Sequence, residues 1–476
     1  MKRALSSALS ILRAAFLAIL LWPIPQAAAS EPAPFPVRVD PRVEVVMTIF
    51  RLAGADEFNM ESSASPYSKA IDTFFAAHKD HPAIKAVEKL RSEHSIGFSA
   101  VPDLAVRLKD YSSGEFLVPI DPLPIGMDTR WTPDAARAFA ALIRDFARDT
   151  NYAAFLEQQR PFFDKAEAAF AGLLATHPFR RLIEDFFGEP IAAGSFAIPG
   201  LLAGGGNYGM SVTFPDGRLV VTPIIGVSAW KTDGTPQFDD SDIDTVVHEF
   251  CHPFANPLVD LHAADLVPAA EVLHTRHAQA FAAQAYSTPK TVMYESLVRA
   301  CVVQIMKHAG GPERSFFQRK QEIGRAFWFT PALTAAMDRY EASRGTYPTL
   351  RSFMPEIVAA IKDAKAILAA EAAKMPRVVS IQPADGSTDV PRDVEFIFVF
   401  DRPMDRTSRG LSFEGDVQFE RIVGGSFSDD GTTYRTVLRL PSHQTIKARL
   451  NANGSGLAGP EGHAIETVEF MFSTGK

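Results

Sequence analysis

The sequence predicts an α+β chain: a mixed domain over residues 30–375, mostly helical with one β-hairpin, followed by an all-β sandwich over residues 376–476. Three observations predict it. Apolar residues recur at helical spacing through much of the first domain, as in Ile71, Phe74, Phe75 and again in Ile84, Val87, Leu90. Between Phe196 and Val227 that spacing gives way to β-formers flanking the turn Pro215-Asp216-Gly217. From Pro376 onward short strand-like runs separated by turn residues replace helical periodicity.

Met1–Ala29 reads as an export signal. Lys2 and Arg3 form a basic start, Ala4 to Trp22 is mostly apolar, and Ala27-Ala28-Ala29 offers a small-residue cleavage site. No later apolar run is long enough to span a bilayer, so a protein outside the cytoplasm, periplasmic or secreted, is expected. With 476 residues, 46% of them hydrophobic, the chain can build more than one core. A net charge of −8 argues against nucleic acid as a partner. The two cysteines, Cys251 and Cys301, exclude a disulfide-built scaffold; packed thiols are favoured over a bridge, and Cys251 is not favoured as a metal ligand.

Phe35–Leu52, with Val37-Arg38-Val39 and Val43-Glu44-Val45, is expected to be extended. Two amphipathic helices follow from Tyr67 to Leu90. Thr132-Pro133 is a helix start, and Ala135–Thr150 and Ala153–His177 continue as helices that serve as scaffold. Met210–Phe214 and Arg218–Val227 should pair as a hairpin, preceded by the glycine-rich stretch Gly204–Gly209. A sheet edge delivered there can bind an extended peptide through main-chain hydrogen bonds, and the glycines let backbone approach closely.

The most informative stretch is Asp239–His252. His248-Glu249-Phe250-Cys251-His252 places two imidazoles at i and i+4, on one helix face, so both can reach one ion. Zinc accepts two neutral imidazoles and a carboxylate and leaves a position for water, whose proton Glu249 can take as general base. Ser241 is the expected N-cap, with Asp244 three residues on. Pro253 predicts that the helix ends or kinks at His252.

A third ligand is needed, and two glutamates compete. Glu295 lies among Val292, Leu297, Val298 and Val302, where a carboxylate is unfavourable unless paired or bound to metal, and Arg299 stands at i+4 to hold it. Glu271, in an alanine-rich helix starting near Pro268, is the alternative; Asp260, His262, His274 and His277 are weaker ones. Tyr286, His274 and His277 are candidates to stabilise an oxyanion.

These residues carry a resemblance. The His248–His252 motif with Tyr294-Glu295-Ser296-Leu297-Val298-Arg299-Ala300 resembles the gluzincin class of zinc metallopeptidases, and more narrowly a bacterial family of exported proteins known as domain of unknown function 4932. Asp40–Leu52 and Tyr67–Leu90 also resemble that family, and the likeness runs from about Val37 to Ala373. It implies a zincin-like fold, His248, His252 and Glu295 as zinc ligands, and Glu249 as base. Pro376–Lys476 resembles the Ig-like domains of exported bacterial proteins, implying spacing or contact with the cell envelope. The expected function is peptide-bond hydrolysis by an exported zinc metallopeptidase. The competing readings are an exported binding or structural protein with a non-catalytic or absent metal site, and a zinc hydrolase of non-peptide amides.

Overall fold

The first element departs from expectation. Phe35–Leu52 is not extended: beyond a single bridge from Val37 to Ala197, it is the helix α1 (Pro41–Leu52). Asp40 caps it, its side chain accepting the Arg42 N–H at 3.0 Å, and Pro41 occupies the first turn. Every residue from Val43 to Phe50 is buried, so the helix has no polar stripe to betray its period. The computed structural model describes residues 35–60, 65–415, 417, 421–452 and 456–476. The expected export signal at Met1–Ala29 lies outside the described residues.

Helices α2 (Pro66–Phe74), α3 (Pro82–His94), α4 (Ala100–Arg107), α5 (Pro133–Asp149), α6 (Tyr152–Leu174) and α7 (Phe179–Phe187) follow. Thr132 caps α5 as expected, accepting the Ala135 N–H at 3.2 Å. An aromatic-rich core that includes Phe50, Phe75, Phe139, Phe146 and Phe155 holds the first helices together. A three-stranded sheet comes next: β1 (Ile198–Gly200), β2 (Tyr208–Thr213) and β3 (Leu219–Gly226), in the order β1-β3-β2. β2 and β3 form the predicted antiparallel hairpin, closed by Phe214 N–H on Arg218 C=O at 2.9 Å with Gly217 at φ +84. A two-stranded ribbon, β4 (Ala229–Trp230) and β5 (Pro236–Gln237), leads to the metal-motif helix.

That helix is α8 (Ile243–Leu261), followed by α9 (Ala263–Arg276), α10 (Ala278–Ala283), α11 (Pro289–Gly324), α12 (Thr330–Ala342), α13 (Leu350–Ile361) and α14 (Ala364–Ala372). α8 lies between α11 on one side and β2 and β3 on the other. Its Val246, Val247, Phe250 and Val259 are fully buried, each contributing roughly 1.5–3 kcal/mol. Burial on both sides is what fixes the orientation of its remaining, polar face.

Beyond Ala372 the chain is β-rich: β6 (Val378–Gln382), β7 (Ser387–Val390), β8 (Asp393–Phe400), β9 (Leu411–Phe413), β10 (Arg421–Phe427), β11 (Thr433–Arg439), β12 (Thr445–Leu450) and β13 (Val468–Thr474). They form two four-stranded sheets, ordered β10-β11-β8-β6 and β7-β13-β12-β9. Alternate residues Val394, Phe396, Phe398 and Phe400 of one share a core with Ile446, Ala448, Leu450, Phe470 and Phe472 of the other. His463 joins this part to the helices through Glu371, Nε2 to Oε2 at 2.7 Å, and Arg402 donates to the Ala373 carbonyl at 2.8 Å. No described helix is long and apolar enough to cross a membrane.

Candidate metal centre

The helical run begins earlier than the sequence suggests, with a 3₁₀ turn, Asp240–Asp242, that feeds into α8. Asp239, not Ser241, caps that turn: its Oδ1 accepts the Ser241 N–H at 2.9 Å, and Asp242 Oδ2 accepts the Asp239 N–H at 2.9 Å. The helix also continues through Pro253 and Pro257 to Leu261 instead of ending at His252. Pro253 removes one intrahelical bond, but it and its neighbours Cys251, Phe254 and Ala255 are buried, and packing holds the helix to its course.

His248 and His252 therefore stand one turn apart with Nε2 atoms 3.0 Å from each other. α11 brings Glu295 across from them: Oε2 is 3.4 Å from His248 Nε2, and Oε1 is 3.6 Å from His252 Nε2. One ligand atom from each of the three residues lies within 4.8 Å of the others, so this buried triad could hold a metal ion. Among the described residues it is the one group of three or more such side chains that meets this condition. His252 Nδ1 faces Asn256 Oδ1 at 3.2 Å; a proton held there leaves the Nε2 lone pair free for the ion.

The charges suit a cation. Burial alone would raise the Glu295 carboxyl, but His248 and Arg299 pull it well below the usual carboxylate range. Burial, reinforced by His248, pushes His252 down to about 4, keeping its imidazole neutral. Burial alone would lower His248, yet the Glu295 carboxylate beside it carries it upward. Glu249, only 6% exposed, is pushed up to about 7, chiefly by burial and against the effect of His248. Its Oε2 lies 4.0 Å from His252 Nε2. It is thus a carboxyl poised to exchange a proton near neutral pH, beside the triad.

Behind Glu295 stands a polar cluster. Arg299 Nη2 lies 3.1 Å from Glu295 Oε2, the i+4 pairing the sequence implied. Tyr286 donates to the same oxygen at 3.1 Å and accepts from Arg299 Nη2 at 2.9 Å. Arg299 Nη1 bonds Glu322 Oε2 at 2.8 Å. Sequence reading missed Glu322, which sits in the charged run Gln318-Arg319-Lys320-Gln321-Glu322 and looks solvated there. It also missed Asn256, although the i+4 spacing from His252 signals it.

The strand β2 flanks α8. Val221 C=O accepts the Phe196 N–H on the β1 side, so the odd residues of β3 face β1 and the even ones face β2. Gly209 is paired with Pro223; Gly209, Ser211 and Thr213 accordingly turn their main-chain groups out of the sheet. A Cβ on Gly209 would lie 2.5 Å from His252 Cβ and 2.6 Å from the Glu249 carbonyl oxygen, so only glycine allows this approach.

The other candidates are elsewhere. Glu271 is exposed on α9 and outside the triad. Asp260 is engaged by Tyr294 at 2.5 Å and Lys290 at 2.6 Å. His262 caps the end of α8. His274 stacks on Phe281, and His277 packs against Trp328 and Phe281. Of the three candidate oxyanion stabilisers, only Tyr286 touches a triad residue. Cys251 and Cys301 are buried free thiols.

Three solved S-layer structures share little with this chain. The S-layer protein rSbsC(31-844) is 17% identical over 48% of this chain and 33% of its own, with a TM-score of 0.16. SbsC domains 1-6 are 16% identical over 49% and 33%, also at 0.16. The N-terminal part of the bacterial S-layer protein SbsC is 16% identical over 52% and 61%, again at 0.16. This chain spans about a third of the length of the first two, and likeness at that score carries no argument. Among curated proteins none matches it. Residues 35–360, more than two-thirds of the chain and including all three triad residues, match the family described as a domain of unknown function, DUF4932. The chain belongs to the DUF4932 family.

Proposed function

We propose that the protein is an exported zinc metallopeptidase of gluzincin type, with a zincin-like domain over residues 30–375 and an Ig-like sandwich over 376–476. The observation that carries the reading is the triangle of His248, His252 and Glu295 donor atoms, 3.0, 3.4 and 3.6 Å apart, with Glu249 buried beside it. Tetrahedral zinc with arms of 2.0–2.1 Å spaces its ligand atoms about 3.3 Å apart. Two imidazoles with a carboxylate are also a donor set zinc takes in catalytic sites.

Zinc held there would supply a Lewis acid that polarises a carbonyl and acidifies water. Glu249 takes the proton of the attacking water and returns it to the leaving amine. Ser211 and Thr213 offer outward main-chain groups to a substrate lying extended beside β2, while the Gly209 N–H bonds the Glu249 carboxylate. Tyr286, alone of the candidate oxyanion donors in contact with the triad, gives its one hydroxyl proton to Glu295 and so helps to orient that ligand. The C-terminal part works as a spacer or as a contact with the cell envelope.

The test is the metal content of the purified protein, wild type beside Glu295→Ala and Glu271→Ala. Glu295→Ala should fold, because Arg299 keeps Glu322 as a partner. Stoichiometric zinc lost only in Glu295→Ala supports the reading, and peptide-library cleavage abolished by Glu249→Gln completes it. A folded wild type that takes up no zinc when zinc is supplied overturns it.

A further inference from the structure

Arg299 is 8% exposed and lies between two carboxylates, Glu295 in front and Glu322, 1% exposed, behind. Glu322 is itself tightly held. Its Oε1 accepts from Gln318 Nε2 at 2.7 Å and from Arg325 Nη1 at 3.2 Å, and the Phe327 ring covers the Arg299 guanidinium at 4.4 Å. In a straight helix, the 27 residues from Glu295 to Glu322 (322 − 295) would separate them by about 40 Å. They come together because α11 breaks at Gly311, at φ 81 and ψ −179, just before Pro312, and its second half folds back.

The break also brings Arg299 a second carboxylate besides Glu295. A buried guanidinium with a single carboxylate partner claims the whole of that carboxylate's charge. Here Arg299 divides its donors: Nη2 serves Glu295 Oε2 and Tyr286, while Nη1 serves Glu322. Glu295 Oε1 stays turned toward His252.

We propose that Glu322 is a positioning residue for the metal centre: it anchors Arg299 behind Glu295 and balances its charge, leaving Glu295 oriented and fully anionic toward the ion. This rests on the zinc reading above. Partners behind a metal ligand commonly change affinity by about 10–100-fold when removed.

The experiment measures zinc affinity of the purified protein by competition with a chromophoric chelator. Near-UV circular dichroism of the chelator-treated protein serves as the folding control. Glu322→Gln should raise the zinc Kd about 10–100-fold. The double variant Glu322→Gln/Arg299→Gln should bind zinc no more weakly than Arg299→Gln alone, because Glu322 acts through Arg299. A Glu322 that affects the site independently of Arg299 predicts a further loss in the double variant. An unchanged Kd in Glu322→Gln, or a double variant clearly weaker than Arg299→Gln, overturns the proposal. Should Glu322→Gln not fold, Glu322→Asp decides: a Kd raised several-fold supports the role and an unchanged one refutes it. If the wild type binds no zinc, the metal reading falls and this role with it. If the wild type binds and Glu322→Gln binds equally, only the role of Glu322 falls.

Discussion

Gly209→Ala tests how firmly β2 is pressed against the candidate metal helix. The added Cβ would lie 2.5 Å from His252 Cβ, 2.6 Å from the Glu249 carbonyl oxygen and 3.2 Å from His252 Cδ2. Ordinary contacts of a Cβ begin at 3.4 Å, so about 1 Å of separation is required. The first two obstacles are a main-chain oxygen and a Cβ, neither of which a rotamer change can move. β2 is tied to β3 along six residue pairs, and α8 is backed by α11. Overpacking at such a site costs about 1–3 kcal/mol. Because His252 is one of the atoms struck, displacement also falls on the triad. Urea unfolding of the chelator-treated protein should show a loss of about 1–3 kcal/mol, and zinc competition should show affinity reduced at least about tenfold. A variant within about 0.5 kcal/mol of wild type, with unchanged zinc affinity, would refute the close approach.

Three further outcomes are expected. Glu44 is wholly buried, its Oε2 accepting from Tyr67 at 2.6 Å, and burial pushes its carboxyl up to about 8. The folded state therefore holds a proton that the unfolded state releases near pH 4.5, so this stabilisation is complete below about 4.5 and lost as pH rises through about 8. It amounts to about 3–5 kcal/mol; Glu44→Gln should flatten that part of the stability–pH curve, measured by denaturant titration against wild type. Phe98 is 59% exposed at φ 50, and Phe98→Gly should stabilise by about 0.5–1 kcal/mol, the left-handed strain of 1–2 less glycine's entropy; a clear fall in melting temperature would count against strain there. Zinc at about 100 times its Kd should stabilise the wild type by about 2.7 kcal/mol but leave His248→Ala unmoved; equal shifts in both would place the zinc elsewhere.

The pieces legible in the sequence were those set by local spacing. The i, i+4 relation of His248 and His252, the i, i+4 relation of Glu295 and Arg299, and the Thr132 cap all follow from helix geometry alone. The contrast between Glu295 and Glu271 was legible for a different reason: a carboxylate amid valines and leucines must have a partner, and Glu295 is 8% exposed whereas Glu271 is exposed. What escaped was decided by tertiary packing. α1 is buried on all sides, so its β-branched residues gave a strand-like reading. The Asp239 cap was hidden among three neighbouring acids and a serine. The continuation through Pro253 depends on neighbours on both sides of α8, which no local rule contains.

Glu322 shows why a charged run can be misread. On a straight exposed helix, Gln318-Arg319-Lys320-Gln321-Glu322 would be a solvated face. The Gly311 break divides it: Gln318 and Glu322 turn inward and are 5% and 1% exposed. Lys320 instead bonds Asp405 of the β-rich part, and Gly462 packs so closely on the Lys320 carbonyl that a side chain there would collide with it. One turn of helix is therefore gripped from two directions, by Arg299 and Gln318 contacts on its inner side and by the C-terminal strands' loops on the other. An unfastened segment after a glycine break would sample several orientations, and each would relax the hold on Arg299. Packing of the β-rich part thus adds to the order of a carboxylate that backs Glu295, although no described residue beyond Ala372 belongs to the metal-binding group itself.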